Sequence, residues 1–463
     1  MYSSRSIYTI LSLSFIILGS VAHAGSIDPA VTEALKTQSK IRVIVGLKDK
    51  VSQNNLKRKS SVREIKRTLM AGYQLASEGV LNSIERFSKT NSVEVLDQNW
   101  AGNSLWLEAD GSVIEQLMMR NDVEEIILDY KIQFEEPIEI MDATPEDEEW
   151  TYGLLKVGVP ETRAAYGLTG KGIRVGVLDT GIDPEHPDLK GKILAWKDFA
   201  GNAKEAKDAH GHGTHCAGTI AGGNADGKHI GVAPEAKLLI GRIFGDNGGT
   251  SLGKIHSGMK WMADPDGNPS TSDNPHIVSN SWGGPQRPYF FERTSWKIVE
   301  TWRALGIVPV FAAGNSGDKP KTMGTPGGFP HSFAVGATDS SDEIAYFSSR
   351  GPIKWKGESY IKPDISAPGV RVLSAKPGGG YQLMSGTSMA CPHVSGLAAL
   401  LKQANPALGV SEIEELLMET AEDFGDEGKD NVFGKGRANI KAAVDYLKSN
   451  GFNHKDSFKK LYK

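Results

Sequence analysis

The chain has 463 residues, 39% hydrophobic and 23% charged, with a formal net charge of -4. That size accommodates two or three domains of ordinary globular composition, and so small a charge excludes nucleic acid or a charged membrane surface as the partner. Two cysteines exclude a disulfide-stapled scaffold, and 53 glycines point to a loop-rich site on a rigid frame.

Residues 1–24 read as a signal peptide. Arg5 supplies the positive start, Ile7 to Leu18 is apolar but short for a bilayer, and Ala22-His23-Ala24 is a small-x-small cleavage site. No cysteine follows the apolar run, so a lipoprotein is not expected. The product is expected to be secreted, extracellular or periplasmic, without a stable membrane anchor.

Residues 25–134 read as a small α/β unit with its elements between Ser26 and Ile132. Ile41, Val43 and Val45 alternate as in a strand. Val62, Ile65, Leu69, Tyr73, Ala76, Val80, Ile84 and Phe87 recur at steps of three and four, one face of a long helix. Strands at Val93 to Leu96 and Ser104 to Glu108, a helix from Ser112 to Met119 and a strand at Glu125 to Ile132 complete a β-α-β-β-α-β order, a ferredoxin-like plan. The basic run Lys57, Arg58, Lys59, Arg63, Lys66 and Arg67 reads as a solvated helix face.

Residues 135–149 hold eight acidic side chains from Glu135 to Glu149. Such a stretch buries no core, is expected to be a solvated linker open to proteolysis, and marks the domain boundary.

Residues 150–463 read as a doubly wound α/β domain. Ile173 to Leu178 is a near-continuous apolar strand, and Lys237 to Ile243, Ile277 to Ser279, Val308 to Ala312 and Ser332 to Val335 are further candidates. Helical stretches between them predict a parallel sheet covered on both faces, with functional groups at the carboxyl ends of its strands.

Three motifs fall at such places: Asp179-Thr180-Gly181-Ile182-Asp183 after a strand, His212-Gly213-Thr214-His215 at a helix start, and Gly386-Thr387-Ser388-Met389-Ala390 at another. Singly, each is an ordinary cap or turn. Together they supply nucleophilic acyl transfer. A serine hydroxyl needs an adjacent base. His212 takes the Ser388 proton and returns it to the leaving amine, and Asp179 fixes the tautomer and stabilises the imidazolium. The helix N-terminus at Ser388 faces the developing oxyanion, and Ala312-Ala313-Gly314-Asn315 offers a second donor. His215 reads as a structural histidine and Asp183 as a structural acid. A zinc-protease reading of the histidines fails, because that helix needs them four apart with a glutamate between.

In this order and with these flanks the motifs resemble the subtilisin family, nearest the bacillopeptidase F type, over about Tyr152 to Ala443. The resemblance implies a secreted serine endopeptidase with the triad Asp179, His212 and Ser388 and the oxyanion donor Asn315. It makes the 25–134 unit an inhibitory propeptide, removed by self-cleavage between Glu135 and Trp150. Extended protein or peptide substrates would be held by Ser281, Trp282 and Gly283 on one side and Gly248 and Gly249 on the other. Gly314 and Gly324 line a roomy apolar P1 pocket in that reading, with Gly324 at its base, and the enzyme is expected to be a monomer. It also implies structural calcium at Asp188, with carbonyls of the Gly223–His229 loop and Glu149, although Ala225 stands where an asparagine ligand is usual. Asp264, Asp266, Asn268 and Asp273 form a second, unrelated candidate. Cys216 and Cys391 lie one helical turn beyond His212 and Ser388 and are expected to be free, buried thiols beneath the triad, with a disulfide between them as the alternative that export permits. The rival readings are a catalytically dead export protein on the same fold, and an esterase or Ser-Glu-Asp acid peptidase, against which His212 argues.

Overall fold

A computed structural model describes residues 25–51, 60–88, 92–143, 148–288 and 292–450. The export segment 1–24, Lys57 to Lys59 and the acidic residues Glu146 and Asp147 lie outside the described residues.

The larger unit is built on a seven-stranded sheet in the order Ile365–Pro368, Phe333–Thr338, Val308–Ala312, Ile277–Asn280, Arg174–Asp179, Lys237–Arg242 and Ile193–Asp198, with every pairing parallel. Its strands read as continuous apolar runs because helices cover both faces. Val175, Val177, Leu238 and Ile240 join one core with the helices His212–Ala221 and Thr387–Ala404. Leu239, Val278 and Phe311 join the other with Leu252–Ala263 and Arg293–Ala304. Two strands escape the sequence reading. Ile193–Asp198 is a half-exposed edge in which Leu194 is 57% exposed, and Ile365–Pro368 is short and ends in proline.

The N-terminal unit is a five-stranded sheet in the order Ser26–Ile27, Val123–Leu128, Lys40–Leu47, Ser104–Asp110 and Val93–Asn99. The helix Val62–Ser88 lays Tyr73, Ala76, Val80 and Ile84 on this sheet's core, but its first turns depart from that role. Ile65 and Leu69 pack into the larger unit's core. Lys66 is fully buried and paired with Asp264 (2.7 Å) and Asp273 (2.8 Å), and Arg67 donates to Ser270. The solvated reading of that basic run is therefore corrected at Lys66, whereas Arg67 stays exposed. An acidic loop 198 residues away in sequence covers Lys66, which helical periodicity does not register.

Two carboxylates of the small unit cap helices of the large one. Asp129 accepts the Gly253 amide (2.8 Å) at the start of Leu252–Ala263 and is held by Trp106 Nε1 (3.0 Å). Glu125 accepts the Thr294 amide and hydroxyl (3.2 and 3.0 Å) at the start of Arg293–Ala304. Each satisfies orphan N–H groups and meets the positive end of a helix dipole. The expected strand at Glu125 to Ile132 consequently divides. Val123–Leu128 stays in the small sheet, Asp129 turns away to cap, and Lys131–Gln133 pairs antiparallel with Gly249–Ser251 of the large unit.

Candidate active site

Asp179 ends the central strand Arg174–Asp179, where backbone pairing fixes it at the carboxyl edge. Its Oδ1 lies 2.7 Å from His212 Nδ1, and both side chains are fully buried. His212 opens its helix because Asp208 caps it. That carboxylate accepts from the Gly211 amide (2.9 Å), the Thr214 amide (2.9 Å) and the Thr214 hydroxyl (2.7 Å). Thr180 donates to Asp208 (3.0 Å) and accepts the Gly213 amide (2.9 Å), tying the two motifs together. A Cβ on Gly213 would stand 2.2 Å from the Gly181 carbonyl oxygen, so the approach requires glycine. Sequence reasoning missed Asp208, although an acid just ahead of a helix-opening motif is a readable N-cap signal.

Ser388 is the second residue of Thr387–Ala404. Pro392 lies four residues on and has no N–H for the Ser388 carbonyl. The Ser281 hydroxyl (2.9 Å) and the Cys216 thiol (3.5 Å) take that place. The Ser388 hydroxyl itself donates to the Ser281 carbonyl (3.0 Å), and Cys216 Sγ lies 3.7 Å from His212 Nδ1. One thiol thus touches both the His212 ring and the Ser388 backbone, placing the two motifs side by side.

Asn315 follows the strand Val308–Ala312 through Gly314, whose φ of 103° lies in the left-handed region. Its Oδ1 accepts from the Thr387 amide (2.9 Å) and hydroxyl (3.0 Å). That fixes the amide orientation and leaves Nδ2 as the donor beside Gly386. Thr387 is a second positioning residue that the sequence reading did not single out.

Both cysteines are free and buried. Burial pushes the Cys216 thiol well up and Cys391 to about 11, so neither is a nucleophile. Cys391 Sγ sits 3.6 Å from the Ser279 hydroxyl, on the sheet side of its helix. His215 Nε2 reaches the Val372 carbonyl (2.9 Å), and burial lowers its pKa to about 3, as suits a structural histidine. Asp183 accepts the Glu185 and Gly378 amides and so holds a turn.

A model of the subtilase family matches residues 170–436. The chain belongs to the subtilase family. Relatives include bacillopeptidase F of Bacillus subtilis (33% identical, covering 80% of this chain and 28% of that protein) and serine protease AprX of the same species (39%, 60% and 67%). M-protease of Shouchella clausii is 33% identical over 83% of this chain and 93% of its own length. The chain thus spans little more than a quarter of bacillopeptidase F. Subtilases are serine endopeptidases, and proteins or peptides are their substrates.

A groove beside Ser281 in this subtilase has a volume of about 970 Å³ and is lined on one side by Trp282, Gly283 and Gly284 and on another by Ala312, Ala313, Gly314, Met323 and Gly324. Trp282 is buried with its ring 5.8 Å from Phe311 and 6.4 Å from Phe244, so it forms a fixed wall. A Cβ on Gly324 would stand 2.4 Å from the Gly284 carbonyl oxygen; glycine there lets two walls meet, besides leaving room.

The chain's own segment lies in this groove. Lys131–Gln133 pairs with Gly249–Ser251, and the Phe134 amide donates to the Gly248 carbonyl (2.8 Å). Gly248 has φ +72°, and a Cβ on it would stand 2.7 Å from Gln133 Nε2. The Phe134 ring packs edge-on to His212 with centroids 4.5 Å apart. Glu135 lines the groove, with its carboxyl pushed up by burial, and Glu136 lies 3.0 Å from His210 Nε2. Beyond it Glu139–Ala143 pairs antiparallel with Tyr381–Ser385. The linker is thus partly a strand, because open edges on the large unit supply the hydrogen bonds an acidic segment lacks internally.

The calcium expectation at Asp188 meets a filled donor set. Its Oδ1 accepts the Ala225 amide (2.7 Å), its Oδ2 the Tyr381 hydroxyl (2.7 Å), and Glu149 lies 3.7 Å from His229 instead. Among the described residues Asp188 belongs to no cluster of three or more acidic, histidine or cysteine side chains. Calcium is common in subtilases, but these residues do not fit it, and Asp188 holds the loop through hydrogen bonds. Of the second candidate, Asp264, Asp266 and Asp273 come together, whereas Asn268 turns its oxygen to the Ser270 amide. Among the described residues no helix is long and apolar enough to cross a membrane.

Proposed function

We propose that this chain is a secreted, broadly specific serine endopeptidase with an apolar P1 preference, made as a monomeric zymogen that cuts itself. Residues 25–134 act as a ferredoxin-like inhibitory propeptide, following the signal peptide 1–24 and preceding the processing segment 135–149 and the catalytic domain 150–463. Carrying this reading is the Lys131–Phe134 segment, paired as a strand at the groove with Phe134 against His212. A subtilase binds extended peptide by strand addition, so the precursor occupies its own groove as a substrate does.

The register supports a cut at Glu135–Glu136, at the start of the 135–150 window. Phe134 abuts the His212 ring on one side, and Glu136 meets His210 on the other. Ser388 Oγ attacks the Glu135 carbonyl carbon while His212 Nε2 takes its proton. Asn315 Nδ2 and the Ser388 amide stabilise the oxyanion. His212 gives the proton to the Glu136 nitrogen, which leaves, and water then hydrolyses the Glu135 acyl ester. The uncharged walls Ala312, Ala313, Gly314 and Met323 support an apolar P1 preference for foreign substrates. Glu135 fits them poorly, and its covalent tethering offsets that through effective concentration.

The test is Ser388→Ala. Purified after expression without other proteases, it should remain uncut and hydrolyse no casein, while the wild type yields a new N-terminus at Glu136. A wild-type N-terminus at Gly25, or wild-type turnover by the processed variant, would refute the reading.

A further inference from the structure

Among the described residues Lys66 is the one buried side chain of the small unit that supplies a positive charge to an acidic cluster of the large one. Its ammonium is fully enclosed between Asp264 Oδ1 (2.7 Å) and Asp273 Oδ1 (2.8 Å). Asp264, Asp266 and Asp273 each present a carboxylate oxygen, all within 4.8 Å of one another. The loop carrying them follows Leu252–Ala263 and is braced from within. The Asp266 amide donates to Asp273 Oδ2 (2.7 Å), and the Thr271 hydroxyl reaches both Asp266 and Asp273. Asp264 is 6% exposed, yet its Oδ2 has no hydrogen-bond partner. So a cation already occupies this cluster, and a buried carboxylate oxygen beside it remains unsatisfied.

From this we infer that Asp264, Asp266 and Asp273 form a calcium site that Lys66 fills in the precursor and that calcium fills once the N-terminal unit has left. Separation removes the Lys66 charge. Three carboxylate oxygens within 4.8 Å of one another then repel, so the site favours a cation of higher charge. Calcium–oxygen distances of about 2.3–2.6 Å put oxygens across one ion up to roughly 5 Å apart, which suits this spacing, and the remaining ligands can be water.

Lys66 and calcium therefore compete. Calcium binds the separated enzyme and not the complex, so it promotes release of the propeptide by mass action and is excluded by it in return. Calcium at ten times its dissociation constant should raise the apparent inhibition constant of the propeptide about elevenfold.

This release step rests on the zymogen reading above, so the test has one arm that needs no cleavage. Full-length Ser388→Ala and Ser388→Ala/Lys66→Ala are titrated calorimetrically with calcium chloride. The second should bind one more calcium than the first, and adding Asp273→Asn should abolish the extra site. Equal stoichiometry in the first two, with matching circular dichroism spectra, overturns the proposal. Should Lys66→Ala not fold, the wild-type processed complex is compared with Asp273→Asn. Activity released on dilution should rise about threefold in the former at ten times the calcium dissociation constant, the square root of the elevenfold weaker binding, and not in the latter, and an equal rise in both overturns the site. Failure of self-cleavage would show separately, as an intact chain on a gel, and leaves the calorimetric result standing.

Discussion

Phe134→Ala isolates what the self-bound strand contributes to inhibition. Phe134 is 4% exposed, with its ring against His212 (4.5 Å), Phe244 (5.0 Å) and His210 (5.2 Å). Truncating a phenylalanine in a packed core costs about 3–5 kcal/mol. This one sits in a groove where water can enter, so the low end applies, about 3 kcal/mol. The hydrogen bond from its amide to Gly248 survives the change. The cleaved propeptide should therefore bind roughly 150-fold more weakly, since about 1.4 kcal/mol is tenfold. The assay dilutes the processed, co-purified complex and reads initial peptidase activity against concentration. The dilution releasing half the activity gives the apparent dissociation constant and does not depend on how fast the cut was made. A midpoint within threefold of the wild type would refute the placement of Phe134 against His212.

Three further outcomes follow from the same geometry. Asn315→Ala should lower kcat by about 10²–10³, roughly 2.7–4 kcal/mol, the cost known for losing this donor in a subtilisin; an unchanged kcat would exclude Asn315 from the oxyanion site. Burial pushes the interface carboxyl of Glu125 from 4.5 up to about 7. Its contribution to the complex is thus complete below pH 4.5 and is lost as pH rises through about 7. Propeptide dissociation measured by stopped-flow should accelerate from pH 5 to pH 8, and Glu125→Gln should flatten that profile. A small organomercurial should inhibit by attaching to Cys216 beside His212, with Cys216→Ser resistant and Cys391→Ser still sensitive; two thiols should titrate under denaturant, and inhibition unchanged in Cys216→Ser would place the reactive thiol elsewhere.

The sequence by itself determined the local chemistry. Asp179, His212, Ser388 and Asn315 stand in short motifs at strand ends and helix starts, and such positions follow from apolar runs, glycines and caps within a few residues. The parallel sheet was legible for the same reason, since Arg174–Asp179 and Val308–Ala312 are buried on both faces and read as unbroken apolar stretches. The edge strand Ile193–Asp198 was not, because one exposed face dilutes that signal.

Only the tertiary structure decided what depends on partners distant in sequence. Lys66 sits in a basic helical run that any local reading assigns to water, and it is buried because Asp264 and Asp273 come to meet it. Asp188 matches a calcium ligand by motif, yet Tyr381, 193 residues away, donates to its carboxylate. The segment after Leu128 carries strand-forming residues in either case, and whether it extends the small sheet or enters the groove is set by Gly249–Ser251. Periodicity records which side of an element is apolar, whereas charge pairing and strand addition depend on which surface arrives there.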